Sequence, residues 1–388
     1  MARKMKDSGI EWIGEIPEGW EVSLLKYATR WKSEKGCPDA PVLSLYRDFG
    51  VVPKDSRDDN HNVTSLDTSN YKVVDIGDLV INKMKAWQGS MAVSDYRGIV
   101  SPAYHVCSIT SNKVNKRYLH HLLRNPAYLP EYARLSTGMR IGQWDLGFDD
   151  FKNIPFLIPP LDEQVKIADY LDNGCASLDA ILDKTRSSIE EYKKLKQAVI
   201  TQAVTEGTPT MVSSPHSVKL KYLISIVSGE AIRNEQLSDF GKYPVYGGGE
   251  IIGFCSQYNT SEGSLIIGRV GARCGCVTHT TCKSWATDNA LVVLPTCIAK
   301  YMYYVIGHCQ LNNLNTSNAQ PLITSTKIKN AVVPYFSDAM QQQEIADYLD
   351  AKCAEIDKLI AKKEQLVKEL ESYKKSLIYE VVTGKREV

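Results

Sequence analysis

Ile167-Ala168-Asp169-Tyr170-Leu171-Asp172 returns unchanged 178 residues later as Ile345-Ala346-Asp347-Tyr348-Leu349-Asp350. The same offset persists beyond the hexapeptide. Cys175 matches Cys353, Asp179 matches Asp357, Ile200 matches Ile378, and Val204-Thr205 matches Val382-Thr383. A register kept without insertion over about forty residues is the constraint that one continuous helix imposes.

Two interleaved seven-residue series run through each copy. In the first, Ala168, Cys175, Leu182, Ile189, Lys196 and Ala203 are joined three residues later by Leu171, Leu178, Thr185, Tyr192 and Val199. In the second, Ala346, Cys353, Ile360, Val367, Lys374 and Val381 are joined by Leu349, Ile356, Lys363, Leu370 and Leu377. This is the a/d pattern of a coiled coil. Pro159-Pro160 precedes the first helix, and Asp162 and Glu163 fall in its first turn, where carboxylates complement the dipole. Ser337 is the expected N-cap of the second helix, and Gly207 and Gly384 punctuate the ends. Each helix should run about 60–65 Å. Neither can bury its stripe alone, so each is the natural partner of the other. The expected interface is Leu171, Cys175, Leu178, Leu182, Thr185 and Ile189 with Leu349, Cys353, Ile356, Ile360, Lys363 and Val367. The polar residues Thr185 and Lys363 lie near the two midpoints. A parallel pair would stack every equivalent layer, whereas an antiparallel pair makes the midpoints face each other. Antiparallel is expected because the intervening module must return the chain and a polar central layer can fix register.

The segments before the helices repeat more faintly. Leu25-Lys26-Tyr27 parallels Leu220-Lys221-Tyr222, and Lys152-Asn153 parallels Lys329-Asn330. Gly77-Asp78-Leu79-Val80-Ile81-Asn82-Lys83, followed by Ala86 and Gly89, parallels Gly263-Ser264-Leu265-Ile266-Ile267-Gly268-Arg269, followed by Ala272 and Gly275. The apolar runs 79–81 and 265–267 read as buried strands between glycine turns, and 117–135 as a helical region broken near Pro126. The expected fold class is α+β: two tandem modules of mixed strands and helices, separated by two long α-helices packed as an antiparallel coiled coil, with pseudo-twofold symmetry. The expected boundaries are an N-terminal extension 1–19, a first module 20–158, a first helix 159–207, a second module 208–334 and a second helix 335–388.

Composition agrees with a globular protein of several domains: 388 residues, 43% hydrophobic and 23% charged. No apolar run is long enough to span a bilayer, and the basic N-terminus is followed by no apolar stretch, so neither membrane nor secretory signal is expected. Ten cysteines without framework spacing predict reduced thiols in a cytoplasmic protein. The net charge of +1 hides a partition. Residues 20–152 and 216–330 carry a small excess of Lys and Arg, whereas 161–206 and 338–388 are acidic. Two modestly basic modules on acidic connectors suit phosphate contact. True dimers read palindromic half-sites through exact symmetry. A tandem repeat with diverged modules would instead read an asymmetric two-part site, with the helices as a ruler across an unread spacer.

The opening Asp7-Ser8-Gly9-Ile10-Glu11-Trp12-Ile13-Gly14-Glu15-Ile16-Pro17 resembles the start of Type I restriction-modification specificity subunits. So do Pro159-Pro160-Leu161-Asp162-Glu163-Gln164 and Tyr243-Pro244-Val245-Tyr246-Gly247-Gly248-Gly249. The resemblance covers essentially the whole chain. It implies two target-recognition domains, each reading half of a bipartite double-stranded DNA target. It further implies two methyltransferase subunits docked on the helices and restriction subunits joined to that core. The specificity subunit itself would be non-catalytic and without a cofactor. A self-sufficient methyltransferase, a coiled-coil scaffold and a stand-alone DNA-binding protein without a restriction partner are the alternatives. In the second helix, Ser337-Asp338-Ala339-Met340 replaces the family's proline-rich opening.

Lys83 and Arg269 hold equivalent places just past a buried strand, where a cation can meet phosphate or guanine. Lys85, Trp87 and Gln88 differ from Gly271, Arg273 and Cys274 inside that shared frame, as different sequence readout requires. Two polar loops, containing Arg140 and Gln143 in one module and Asn318 and Gln320 in the other, carry side chains able to pair with base edges. Tyr104 and Asn289 complete the expected DNA-binding set. Other residues have plainer readings. Cys274, Cys276 and Cys282 lack the paired spacing of a zinc site and read as structural thiols. His120-His121 reads as surface. Asn125-Pro126-Ala127-Tyr128 resembles an amino-methyltransferase tetrad, but no glycine-rich cofactor loop precedes it. Gly247-Gly248-Gly249 reads as a turn.

Overall fold

The computed structural model describes residues 3–47, 49–57, 64–65, 67–138, 144–211, 213–271, 273–314 and 322–388. The chain forms two compact units, residues 1–184 with 366–388 and residues 185–365, so each unit contains part of both long helices.

The first unit is built on a four-stranded antiparallel sheet of β1 (Thr29–Lys32), β2 (Asp78–Asn82), β3 (Met91–Val93) and β4 (Tyr104–Ile109), in the order β1-β4-β2-β3. Its central strand β2 carries Leu79, Val80 and Ile81, all fully buried. Apolar side chains on both faces explain the unbroken Leu-Val-Ile run. Helix α1 (Lys116–Leu123) follows, capped by Asn115, whose side chain accepts from the Arg117 and Tyr118 amides (2.9 and 3.0 Å). As expected, the helical region breaks at Pro126 into a 3-10 turn, Pro126–Tyr128, and a second helix, Leu129–Leu135. Asn125 caps that turn and Tyr128 is buried, which gives the tetrad a structural role. Part of the expected N-terminal extension belongs to the same core: Ile10, Ile13 and Ile16, with the following Trp20, pack with Tyr118, Phe151 and Phe156.

Helix α2 (Leu161–Glu206) is continuous for 46 residues, about 69 Å at 1.5 Å per residue. In the second unit β5 (Ile224–Ser228), β6 (Leu265–Gly268), β7 (Val277–His279) and β8 (Ala290–Pro295) form a second antiparallel sheet in the order β5-β8-β6-β7. Strand for strand, this is the order of the first sheet. Helix α3 (Ala299–His308) stands where α1 does, and α4 (Ala339–Val382) is the second long helix. The turns after β2 and β6 each need a glycine: Gly89 and Gly275 have φ of +81° and +85°. A Cβ on Gly275 would also lie 2.5 Å from the Asn312 amide nitrogen. Gly247-Gly248-Gly249 turns between the strands Tyr243–Gly247 and Glu250–Cys255.

The helix pairing is antiparallel within each unit. Lys374 meets Asp179 at 2.6 Å in the first unit, and Lys196 meets Asp357 at 2.6 Å in the second. These are the same ion pair written twice, since Lys196 and Lys374, like Asp179 and Asp357, are repeat equivalents. Of the expected interface, Leu171, Leu178, Leu182, Thr185, Ile189, Leu349, Cys353 and Ile356 are buried, and Cys175, Ile360, Lys363 and Val367 are half-buried. Lys363 places its ammonium 5.6 Å from the centre of the Tyr192 ring, within cation–π range. One cap differs from expectation. Asp338, not Ser337, caps α4, accepting from the Met340 amide at 2.8 Å, because the helix begins at Ala339.

The repeated hexapeptide is the seam between module and helix. Ile167, Ala168 and Leu171, like Ile345, Ala346 and Leu349, are essentially inaccessible to solvent. Asp172 takes Arg117 Nε (2.6 Å) and His121 Nε2 (2.6 Å), residues one turn apart on α1. Asp350 takes the Tyr304 hydroxyl (2.5 Å) and Lys300 Nζ (3.2 Å), one turn apart on α3. His121 is therefore a partner of Asp172 and not a bare surface residue. His120, also half-buried, accepts from the Val93 amide at 3.3 Å through Nδ1, and burial pushes its pKa down to about 3.

His121, with Arg117, holds the Asp172 carboxyl down to about 2, below the ordinary value near 3.9. The unfolded state therefore binds more protons in this window, so this contribution is complete above about pH 4 and is lost as pH falls towards 2. Asp172→Asn is expected to destabilise the chain at pH 6, with the difference from wild type shrinking between about pH 4 and pH 2. Urea titrations at several pH values measure it, and a difference constant down to pH 2 would refute the assignment.

Candidate nucleic-acid interface

Sheet register decides which candidate residues share a surface. In the first sheet Tyr104 lies opposite Asn82, and Ser108 opposite Asp78, so Lys83 and Tyr104 stand at one end. The turn after β2 carries Lys85, exposed, with Trp87 and Gln88 half-buried in a 3-10 turn, Ala86–Gln88. Lys83 donates to Asp145 Oδ2 at 2.8 Å, and its carbonyl accepts from the Leu146 amide at 3.0 Å. Trp87 packs edge-on against Trp144, with ring centres 5.1 Å apart.

The second sheet places Arg269 and Asn289 together in the same way. Gly268 lies opposite Ala290, the Arg269 amide donates to the Asn289 carbonyl at 3.0 Å, and Asn289 is exposed. The Arg269 carbonyl accepts from the Ile323 amide at 3.0 Å. Arg273, exposed in the turn, has Nε 3.4 Å from Glu250 Oε2. Thus Lys83 and Arg269 are equivalent down to the backbone bond each receives from a later segment. Arg140, Gln143, Asn318 and Gln320 lie outside the described residues. The segments that follow them, at Leu146 and Ile323, return to the backbone of Lys83 and Arg269.

Several residues at the first site were not singled out in the sequence. Lys72, only 9% exposed, donates to the Tyr104 carbonyl (2.6 Å) and lies 5.2 Å from the Trp31 ring centre. Burial lowers its pKa, and the charges of Lys83 and Lys35 push the same way. His105, buried beside it, has Nε2 3.1 Å from the Leu146 carbonyl, and burial lowers its pKa as well. Among the described residues, His105 Nδ1, Asp145 Oδ1 and Trp87 Nε1 are buried without hydrogen-bond partners. The site therefore combines cations, an aromatic pair and unspent polar capacity, which suits a polyanion presenting base edges. The only clue in the sequence was Lys72 itself, a cation opening the apolar strand Lys72–Val74.

Elsewhere the chemistry is plainer. Cys274 is buried with Sγ 3.3 Å from the Arg269 carbonyl, whereas Cys276 and Cys282 are exposed. Among the described residues, no group of three or more His, Cys, Asp or Glu side chains is arranged to hold a metal ion, and no helix is long and apolar enough to cross a membrane.

Comparison with known proteins places this architecture. The MjaX specificity subunit of Methanocaldococcus jannaschii, described as a putative type I restriction enzyme subunit, is 24% identical over 216 residues, 50% of this chain and 48% of that protein. The EcoprrI specificity subunit of Escherichia coli is 30% identical over 89 residues, 22% of each protein. The chain thus spans about half the length, or less, of the curated relatives it matches. Among solved structures, a chain from a study of complex assembly and conformational transition in the type I R-M system superposes with a TM-score of 0.74 at 16% identity, covering 96% of this chain and 99% of that one. The HsdS subunit from Thermoanaerobacter tengcongensis gives a TM-score of 0.53 at 15% identity, covering 96% and 98%. Those likenesses concern the fold. The family itself is carried by the sequence, for the Type I restriction modification DNA specificity domain matches residues 31–191 and again 216–369. With both halves matched, the chain belongs to the family of Type I restriction modification DNA specificity domains.

Proposed function

We propose that the chain supplies the DNA specificity of a Type I restriction-modification complex and catalyses nothing itself. Module 20–158 and module 208–334 each read one half of an asymmetric bipartite duplex target. Helices 159–207 and 335–388 set the unread spacer and dock two methyltransferase subunits, to which restriction subunits join, in the cytoplasm. The observation that carries this reading is the pair of sheets with one strand order, whose equivalent ends bear Lys83, Lys85, Trp87, Gln88 and Tyr104 in one module and Arg269, Arg273 and Asn289 in the other. Different side chains in one frame are what two different half-sites require. Arg140, Gln143, Asn318 and Gln320 belong to the proposed set through the segments that follow them.

Methylation mapping of a genome carrying this chain with its methyltransferase subunit tests the proposal. A split, asymmetric methylated motif is expected, and a continuous or palindromic motif would refute it. Within that motif, Arg269→Ala should cost about 1–3 kcal/mol of binding and relax discrimination in one half only, while Lys83→Ala acts on the other half. Competition binding against single-base variants of the target reads both effects, and equal losses across both halves from either variant would count against the assignment.

A further inference from the structure

At one anchored position, beside the cation that follows the central strand of each sheet, the first module has a carboxylate and the second a leucine. The anchor is a backbone bond. The Leu146 amide donates to the Lys83 carbonyl and the Ile323 amide to the Arg269 carbonyl, each at 3.0 Å. From there the two modules keep one register, for Lys152-Asn153 recurs as Lys329-Asn330. The residue before the anchor is therefore Asp145 in one module and Leu322 in the other. Strand register adds a second departure. Tyr104 lies opposite Asn82 and Ala290 opposite Gly268, so the buried His105 stands where the second module has Leu291.

Both departures bear on one carboxylate. Leu146 is held on both sides, since its carbonyl accepts from His105 Nε2 at 3.1 Å while its amide is bound to Lys83. That fixes the backbone next to Asp145. The Asp145 Oδ2 then accepts from Lys83 Nζ at 2.8 Å. Among the described residues Oδ1 is buried without a partner, yet the side chain is 46% exposed, so what meets solvent is Oδ2 with the side-chain carbons. Each carboxylate oxygen has two lone pairs, and Lys83 occupies one. An ion pair this open to water contributes at most about 1 kcal/mol to stability, which gives the fold little need of it.

A carboxylate accepts hydrogen bonds and donates none. In the major groove the donors that bases offer are the N6 amino group of adenine and the N4 amino group of cytosine, whereas guanine and thymine present acceptors there. Phosphates would repel a lone carboxylate. The ammonium of Lys83 neutralises it and keeps further N–H groups for an acceptor beside the amino group, adenine N7 or the O6 of the guanine paired with cytosine. Leu322 can neither accept from a base nor neutralise Arg269, and an arginine is suited to guanine.

We propose that Asp145 is a specificity-determining residue of the first module: its carboxylate accepts the exocyclic amino group of one adenine or cytosine in the first half-site, and Lys83 positions it. This rests on the function proposed above and makes Lys83 the holder of the reader. At the equivalent place in the second half-site the module meets an acceptor instead, so the halves differ in hydrogen-bond polarity.

The test uses the full chain assembled with its methyltransferase subunit, and duplexes carrying the motif found by methylation mapping. Each adenine is replaced in turn by purine and each cytosine by 2-pyrimidinone, analogues that lack only the amino group. One replacement in the first half-site should weaken wild-type binding about 5- to 150-fold. The same replacement should change binding by Asp145→Leu or Asp145→Ala less than about twofold. Weakening of the duplex itself is common to all proteins and cancels in that comparison. Sensitivity to purine identifies adenine, and sensitivity to 2-pyrimidinone identifies cytosine. Lys83→Arg should keep the sensitivity and Lys83→Met should lose it at that same position. Equal sensitivity in wild type and both Asp145 variants would overturn the proposal and leave a surface ion pair. So would a first half-site with no amino-sensitive position, or a loss of discrimination in both halves, which would make Asp145 a residue of the fold. A wild-type complex that methylates no split motif would instead sink the proposed function, and this inference with it.

Discussion

Exchanging residues 20–152 for the corresponding segment of another family member is expected to replace one half of the methylated motif and leave the other half and the spacer intact. The seam explains why such an exchange should fold. On the helix side it includes Ile167, Ala168 and Leu171, all buried, Asp172 offering its carboxylate, and Gln164 bridging to the backbone of Lys113 and Asn115. The incoming module must cover that apolar strip and bring donors one turn apart on its α1 equivalent, as Arg117 and His121 do here and Lys300 and Tyr304 do in the second module. A donor with carboxylates at those two places should fail, because it would set like charges against Asp172. Methylation mapping of the chimaera reads the outcome, and a change in both halves would break the modular account.

Gln164→Leu is expected to be among the most destabilising single substitutions in the chain. Gln164 is fully buried and satisfies three backbone groups at once. Its Nε2 donates to the Lys113 and Pro159 carbonyls (2.8 Å each), and its Oε1 accepts from the Asn115 amide (2.7 Å). Leucine fills similar space but leaves those groups without partners, at about 1–3 kcal/mol for each one that water cannot reach. Gln342, its repeat equivalent, serves two groups, donating to the Phe336 carbonyl (2.7 Å) and accepting from the Ile298 amide (3.2 Å). Gln342→Leu should therefore cost less than Gln164→Leu. Denaturant unfolding of the two variants measures the order, and equal or negligible losses would show that these bridges do not hold module to helix.

Much of this architecture was legible because it is periodic. The heptad positions required no tertiary information: every a and d residue from Ala168 to Ala203 and from Ala346 to Val381 is buried or half-buried. The runs 79–81 and 265–267 announced themselves as central strands because both faces of each are covered. Where one local signal competed with another, the reading slipped. Ser337 and Asp338 are both good caps, and only the path of the chain selected Asp338. His120-His121 carried no local pattern, so its pairing with Val93 and Asp172, from distant segments, could not be read.

The candidate interface divides along the same line. Lys83 and Arg269 were legible as candidates because equivalent positions in a repeat can be aligned by eye. Lys72, Trp31, His105 and Asp145 were not, since they come from four separate segments that meet only when the sheet closes and the segment before Leu146 returns to Lys83.

By itself the sequence determined the duplication, the two helices and their facing stripes, because periodicity and register are properties of the chain alone. Tertiary structure decided which carboxylate holds which module helix, which end of each sheet gathers the cations, and that Lys83 among them meets a carboxylate. The physical reason is that hydrogen bonds, ion pairs and desolvation depend on distances between segments far apart in sequence, and only folding sets those distances.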